Sequence, residues 1–135
     1  IHQDYEYIEE IGNQIVRCFD EKDAEGLKAM FSVNSQENFD LNKEIEKAFE
    51  KYEGKSVSYT LTNISWAGGK DNGKWIDKHF NPEIKNICTD KGISYNIGFY
   101  LYEIYEYDTS RIGIGAISLQ DSEGNEISRI GGWAD

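Results

Sequence analysis

The sequence predicts an α+β fold, and three observations carry that prediction. Apolar residues recur at three- and four-residue steps from Tyr5 to Tyr52. The period changes to two after Gly54, and turn residues punctuate the chain from there on. Helices first and strands second is the order of a domain whose helices gather on an antiparallel sheet. The chain has 135 residues and no repeat, low-complexity tract or linker, so residues 1–135 read as one domain.

The helical part is organised around Ile8 to Ser32. Tyr5, Ile8, Ile11, Ile15 and Phe19 form one stripe, with Glu6, Glu9, Glu10, Gln14 and Arg17 on the other side. Gly12 weakens a helix by about 1 kcal/mol relative to alanine, so it is expected to mark a close packing contact. The chain breaks at Lys22-Asp23, and Asp23 suits the N-cap of a short second helix burying Leu27, Met30 and Phe31. Ser32 to Asn38 is polar and reads as a loop. Asp40 caps a third helix with Leu41, Ile45, Ala48, Phe49 and Tyr52 inward, and Gly54 stands where a left-handed C-cap would end it. Three N-terminal helices are therefore expected, with Ile11, Ile15, Phe19, Leu27, Phe31, Ile45 and Phe49 buried against the sheet.

Val57, Tyr59 and Leu61 alternate with polar residues, and the apolar phase then slips to Ile64 and Trp66. Such a slip predicts a bulge near Asn63 that bends the sheet. It would leave Leu61 and Trp66 in one apolar cluster, with Trp66 near an open mouth. Ala67 to Lys74 reads as a flexible loop. Trp75 to Asp90 reads as irregular, because Pro82 argues against a central strand, with a short strand near Lys85 to Thr89. Asp90-Lys91-Gly92 is a hairpin turn. Ile93 to Tyr107 is the longest strand, passing from one apolar face to two. Ile112 to Leu119 and Glu126 to Ile130 complete the sheet.

Composition excludes several function classes. The formal net charge is −11. The stretch to Gly54 holds 14 of the 25 acids and 6 of the 14 bases, a balance of −8. A phosphate backbone would be repelled and no basic stripe exists, so nucleic acid is not an expected partner. The acidic helices suit plain solubility or docking to a basic protein partner. No apolar run reaches membrane-spanning length. Cys18 and Cys88 are the only cysteines, and their apolar neighbours predict unbridged, protected thiols. No Cys or His stands at metal-ligand spacing from them, so no metal is expected. Gly113 to Ala116 lacks the third glycine and following helix of a dinucleotide fingerprint, Asp121 to Glu126 lacks calcium-loop spacing, and no cofactor is expected.

The wording IVRCFDEKDAEGLKAMFS, EIEKAFEKYEGKSVSY and TDKGISYNIGFYLYE resembles a family of small bacterial domains with no established activity, within the nuclear-transport-factor-2-like superfamily. The resemblance covers nearly the whole chain and implies a cone: three N-terminal helices packed on a curved antiparallel sheet. Many members look like lipid-anchored exported proteins. The chain opens at Ile1 without an initiator methionine, so an extracytoplasmic domain trimmed of its leader is the expectation. Superfamily enzymes of the ketosteroid-isomerase, scytalone-dehydratase and SnoaL-like types place an acid or a histidine in an aromatic-lined cavity. None of their motifs aligns here residue by residue.

The acid/base candidates are His79 and Asp90, beside the irregular segment. Tyr59, Trp66, Tyr95 and Phe99 are the candidate lining of a cavity for a small apolar ligand. The leading expectation is a non-catalytic domain with such a cavity. A lyase or isomerase of the ketosteroid-isomerase or SnoaL-like type and an acidic protein-interaction module are the alternatives.

Overall fold

The computed structural model describes residues 2–132, with the side chains of residues 2, 3 and 63–65 outside that description. Four helices come first: α1 (His2–Glu21), α2 (Ala24–Ala29), α3 (Val33–Asn38) and α4 (Leu41–Lys51). Five strands follow: β1 (Ser56–Asp71), β2 (Lys74–Thr89), β3 (Ser94–Tyr105), β4 (Gly113–Asp121) and β5 (Glu126–Gly131). They form one antiparallel meander in the order β1-β2-β3-β4-β5. A one-residue parallel bridge joins Phe31 to Ile114. The class is α+β as expected, with four helices rather than three.

The additional helix is α3, in the stretch expected to be a loop. The Ser32 hydroxyl accepts a hydrogen bond from the Ser35 N–H, capping the helix start. Ser35 Oγ donates to the Gly115 carbonyl at 2.8 Å. Both serines are buried. The helix is held by a cap and one long-range hydrogen bond rather than by an apolar stripe, which is why its periodicity is silent.

The other helices follow their stripes. Ile8, Ile15, Phe19, Leu27, Leu41, Ile45 and Ala48 are at most 2% exposed, with Phe31 and Phe49 also buried. Ile11 is only half-buried, packed against the same core. Tyr5 is 44% exposed, so the stripe leaves the core one turn from the start of α1. A Cβ on Gly12 would stand 3.5 Å from Leu61 and 3.7 Å from Ile84, the close helix–sheet approach expected there. Asp23 caps α2 by accepting from the Gly26 N–H. α4 ends at Tyr52, before Gly54, where the backbone turns extended, and Lys22 Nζ caps its last carbonyls: 3.0 Å to Phe49 O and 2.6 Å to Tyr52 O. Gly54 has φ +90 and instead fits against Asp90 and Thr89.

The sheet differs more from expectation. Ala67 to Asp71 is strand, and Asn72 (φ 52) and Gly73 (φ 79) form a two-residue hairpin turn. Trp75 to Thr89 is not irregular but one continuous central strand, β2, with Pro82 buried inside it. Proline has no N–H to give a ladder. The tolerance comes from β1, whose register slips between Thr62↔Glu83 and Ser65↔Asn81, opposite Pro82. That slip is the bulge expected near Asn63. The Asn63 and Ile64 side chains lie outside the described residues. Trp66 does not join the cluster that Leu61 packs against. It is 55% exposed, with its ring 5.6 Å from that of Trp75.

The helices cover one face of the sheet. α1 lies by β1, while α4 lies over β5, where Lys51 Nζ meets Ile127 O at 2.6 Å and Glu44 accepts from the Gly131 N–H at 2.8 Å. Between helices and sheet runs a continuous cluster of buried side chains, including Phe80, Ile84, Ile97, Phe99, Ile117 and Leu119. Among the described residues, no helix is long and apolar enough to cross a membrane.

Candidate functional site

The pleat turns alternate side chains of β2, β3 and β4 away from the helices. From β2 this outer face carries Asp77, His79, Asn81, Glu83 and Lys85. From β3 it carries Gly98, Tyr100, Tyr102 and Tyr105, and from β4 Ala116, Ser118 and Gln120. Gly98 stands opposite Glu83 on one side and Ser118 on the other, and Tyr100 stands opposite Ala116. Two small residues on neighbouring strands lower the floor. The result is an open groove of about 380 Å³, with Asn81, Glu83, Lys85, Tyr100, Gln120 and Arg129 around it.

The groove is polar, and its charges are matched. Lys85 Nζ lies 2.8 Å from Glu83, and the Arg129 guanidinium lies 3.0 Å from Glu126. Gln120 Nε2 donates to Ser118 Oγ at 3.3 Å. Burial alone would raise the Glu126 carboxyl, but hydrogen bonds from Ser118 and Arg129 hold it below the usual range. Neutral hydrogen-bonding groups and paired charges suit an uncharged polar ligand better than an ion.

Beyond the groove on the same face, His79 Nδ1 lies 2.8 Å from Asp77 Oδ1. Its ring stands 4.8 Å from that of Tyr102. Burial, then Tyr105 and Asp77, push the Tyr102 phenol upward, so it stays protonated at neutral pH. The aromatic run continues from Tyr102 to Tyr105 at 4.9 Å and on to Tyr107 at 5.4 Å.

The site residues expected from sequence are scattered. His79 lies on the outer face of β2, a regular strand rather than an irregular segment. Asp90 is at the other end of the sheet, where its carboxylate accepts from the Lys55 N–H at 2.9 Å and ties the start of β1 to the β2–β3 turn. His79 and Asp90 are not brought together. Tyr95 is buried: its hydroxyl donates to Lys51 O at 2.9 Å and accepts from the Glu53 N–H at 3.0 Å, clasping the end of α4. Tyr59 donates to Asn13 on α1. Phe99 points into the core at 1% exposure, and its backbone runs under the groove. Trp66 is exposed on the β1–β2 hairpin. These four aromatics therefore do not share one cavity, because three are engaged with helices or core and the fourth stands on the hairpin.

Sequence reasoning missed Asp77, Gly98 and the outward tyrosines. Alternation over residues 75–85 would expose Asp77 beside His79 if Pro82 did not argue against a strand there, whereas Gly98 and the tyrosines of β3 join the site only through register with β2 and β4. Among the described residues, no three His, Cys, Asp or Glu side chains gather as a metal-holding group. Both cysteines are free. Cys18 is buried, whereas Cys88 is only half-buried beside Ser94, less protected than its neighbours implied.

A family model described as a domain of unknown function (DUF5104) matches residues 14–123, from the middle of α1 to the β4–β5 turn. No curated protein matches the chain.

Proposed function

This chain belongs to the DUF5104 family, and we propose that it is a non-catalytic binding domain that takes a small, uncharged polar ligand on the outer face of its sheet. The observation that carries this reading is the groove of about 380 Å³ floored by Gly98 and Ala116. It departs from the apolar ligand expected in a cone cavity, since the helix side of the sheet is lined by packed core side chains. The nuclear-transport-factor-2-like relationship remains part of the proposal, supported by N-terminal helices on one face of a repeatedly bulged antiparallel sheet. So does an extracytoplasmic, lipid-anchored setting, which rests on the resemblance alone.

The test is an amide-resolved NMR titration with a panel of neutral polyols and primary amides. The expected result is saturable shifts at Gly98, Ser118 and Gln120. Shifts confined to the helices, or none at all, overturn the reading.

One observation favours a second reading, a lyase or isomerase. The carboxylate of Asp77 orients the His79 imidazole at 2.8 Å, the arrangement a general base uses. Asp77, not Asp90, is the acid that would serve it. This reading requires that a groove ligand exchange a carbon-bound proton with D₂O and that His79→Ala abolish the exchange. Exchange at the same rate in the variant excludes it.

A further inference from the structure

We infer that the groove ligand is a neutral glycan chain, whose further sugar units lie along the tyrosines of β3. The inference rests on the groove reading and deepens it. Four features of the outer face converge on this class of ligand.

The first is shape. Gly98 and Ala116 open a trough that crosses β2, β3 and β4 rather than closing into a pocket, and Tyr100 at its edge begins the outward tyrosines of β3. From Gly98 to Tyr105 the strand covers about 23 Å at roughly 3.3 Å per residue, long enough for several linked sugars. The second is the kind of surface beyond the trough. Tyr102 and Tyr105 are half-buried with rings 4.9 Å apart, and Tyr107, in the turn after β3, is 70% exposed with its ring 5.4 Å from that of Tyr105, so tyrosine rings reach solvent in sequence beyond the trough. The C–H-rich face of a pyranose stacks on such rings, while its hydroxyls need donors and acceptors around the edge.

The third is that the edge groups are present. Asn81, Ser118 and Gln120 offer amide and hydroxyl groups, and the Glu83–Lys85 and Arg129–Glu126 pairs offer charged ones. Hydroxyls bonded to ionised groups make stronger hydrogen bonds than neutral pairs do. The fourth is charge balance. The chain carries −11 overall, yet the charges of the groove are paired within it. A polyanion would meet repulsion from the rest of the molecule, and a cation would find its carboxylates already paired. An uncharged chain of hydroxyls meets neither cost.

The experiment is calorimetric and NMR titration of the whole 135-residue chain with cellohexaose, maltohexaose and chitohexaose. The expectation is that at least one hexasaccharide binds saturably and shifts the amides of Gly98, Ser118, Tyr102 and Tyr105. Gly98→Leu, which fills the trough, should weaken it about tenfold or more, a loss of about 1.4 kcal/mol. Tyr107→Ala, at an exposed position, should weaken it about three-fold with unchanged circular dichroism.

Failure of all three hexasaccharides overturns the glycan inference. The groove reading still stands if the polyol and amide panel shifts the groove amides, and falls with the inference if it does not. Binding that Gly98→Leu removes but that leaves the Tyr102 and Tyr105 amides unmoved also overturns the inference, since the ligand would then be confined to the groove.

Discussion

Tyr52 donates its phenolic hydrogen to Asp20 Oδ1 at 2.7 Å, joining the end of α4 to the end of α1. The same carboxylate accepts from the N–H of Ser56, at 2.8 Å, and from its hydroxyl, so one side chain fixes where helices end and sheet begins. Burial first, then the hydrogen bond to Asp20, push the Tyr52 phenol far above its ordinary value of 10.0.

Tyr52→Phe should therefore cost about 1.5–3 kcal/mol at neutral pH, the range for a hydrogen bond to a charged group. The folded-state pKa is raised, so the contribution is fully present below the unfolded phenol's pKa near 10. It is lost as pH climbs beyond that toward the folded value. Urea melts from pH 7 to 11 should show the wild-type advantage over the variant shrinking only above pH 10. A constant gap across that range would remove the phenol from the account.

Gly131 has φ +73, and a Cβ there would stand 2.4 Å from the Gly115 carbonyl oxygen, a backbone atom that cannot swing away. Gly92 has φ +75 with open space around it. Gly131→Ala should cost about 2–4 kcal/mol, combining strain and collision, while Gly92→Ala should cost about 1 kcal/mol from strain alone. Thermal melts of the two variants separate the terms, and equal losses would show the carbonyl contact to be harmless.

Deletion of Asn63 should restore one-to-one pairing between β1 and β2 opposite Pro82, where the proline has no N–H to offer. The expected outcome is a loss several times the roughly 0.5 kcal/mol of an ordinary surface change. A melt identical to the parent would mean the bulge is not needed.

The two thiols should separate in a labelling time course. Cys18 is fully buried, and burial is the main influence raising its pKa, which disfavours the reactive thiolate. Cys88 is half-buried on the sheet face away from the helices. A maleimide should modify Cys88 first in the native protein, with Cys18 following at the rate of opening. Mass spectrometry showing Cys18 modified first would contradict this placement.

The sequence alone determined the helices that bury a stripe and the strands that alternate. α1, α2 and α4 were legible because Ile8, Ile15, Phe19, Leu27, Ile45 and Ala48 repeat at a period that a single helix expresses by itself. The bulge near Asn63 was legible because a phase slip is also local. Tertiary structure decided α3, whose Ser35 finds its partner in Gly115 on β4. It decided that Pro82 lies in a central strand, since the irregularity that accommodates it belongs to β1. It also decided the candidate site. Asp77 meets His79 only if residues 75–89 are strand, and Gly98 makes a groove only because register sets it beside Glu83 and Ser118. Periodicity reports which face a residue takes along its own element. Which residues become neighbours across elements depends on register, and register is set by pairing and bulges distributed over the whole sheet.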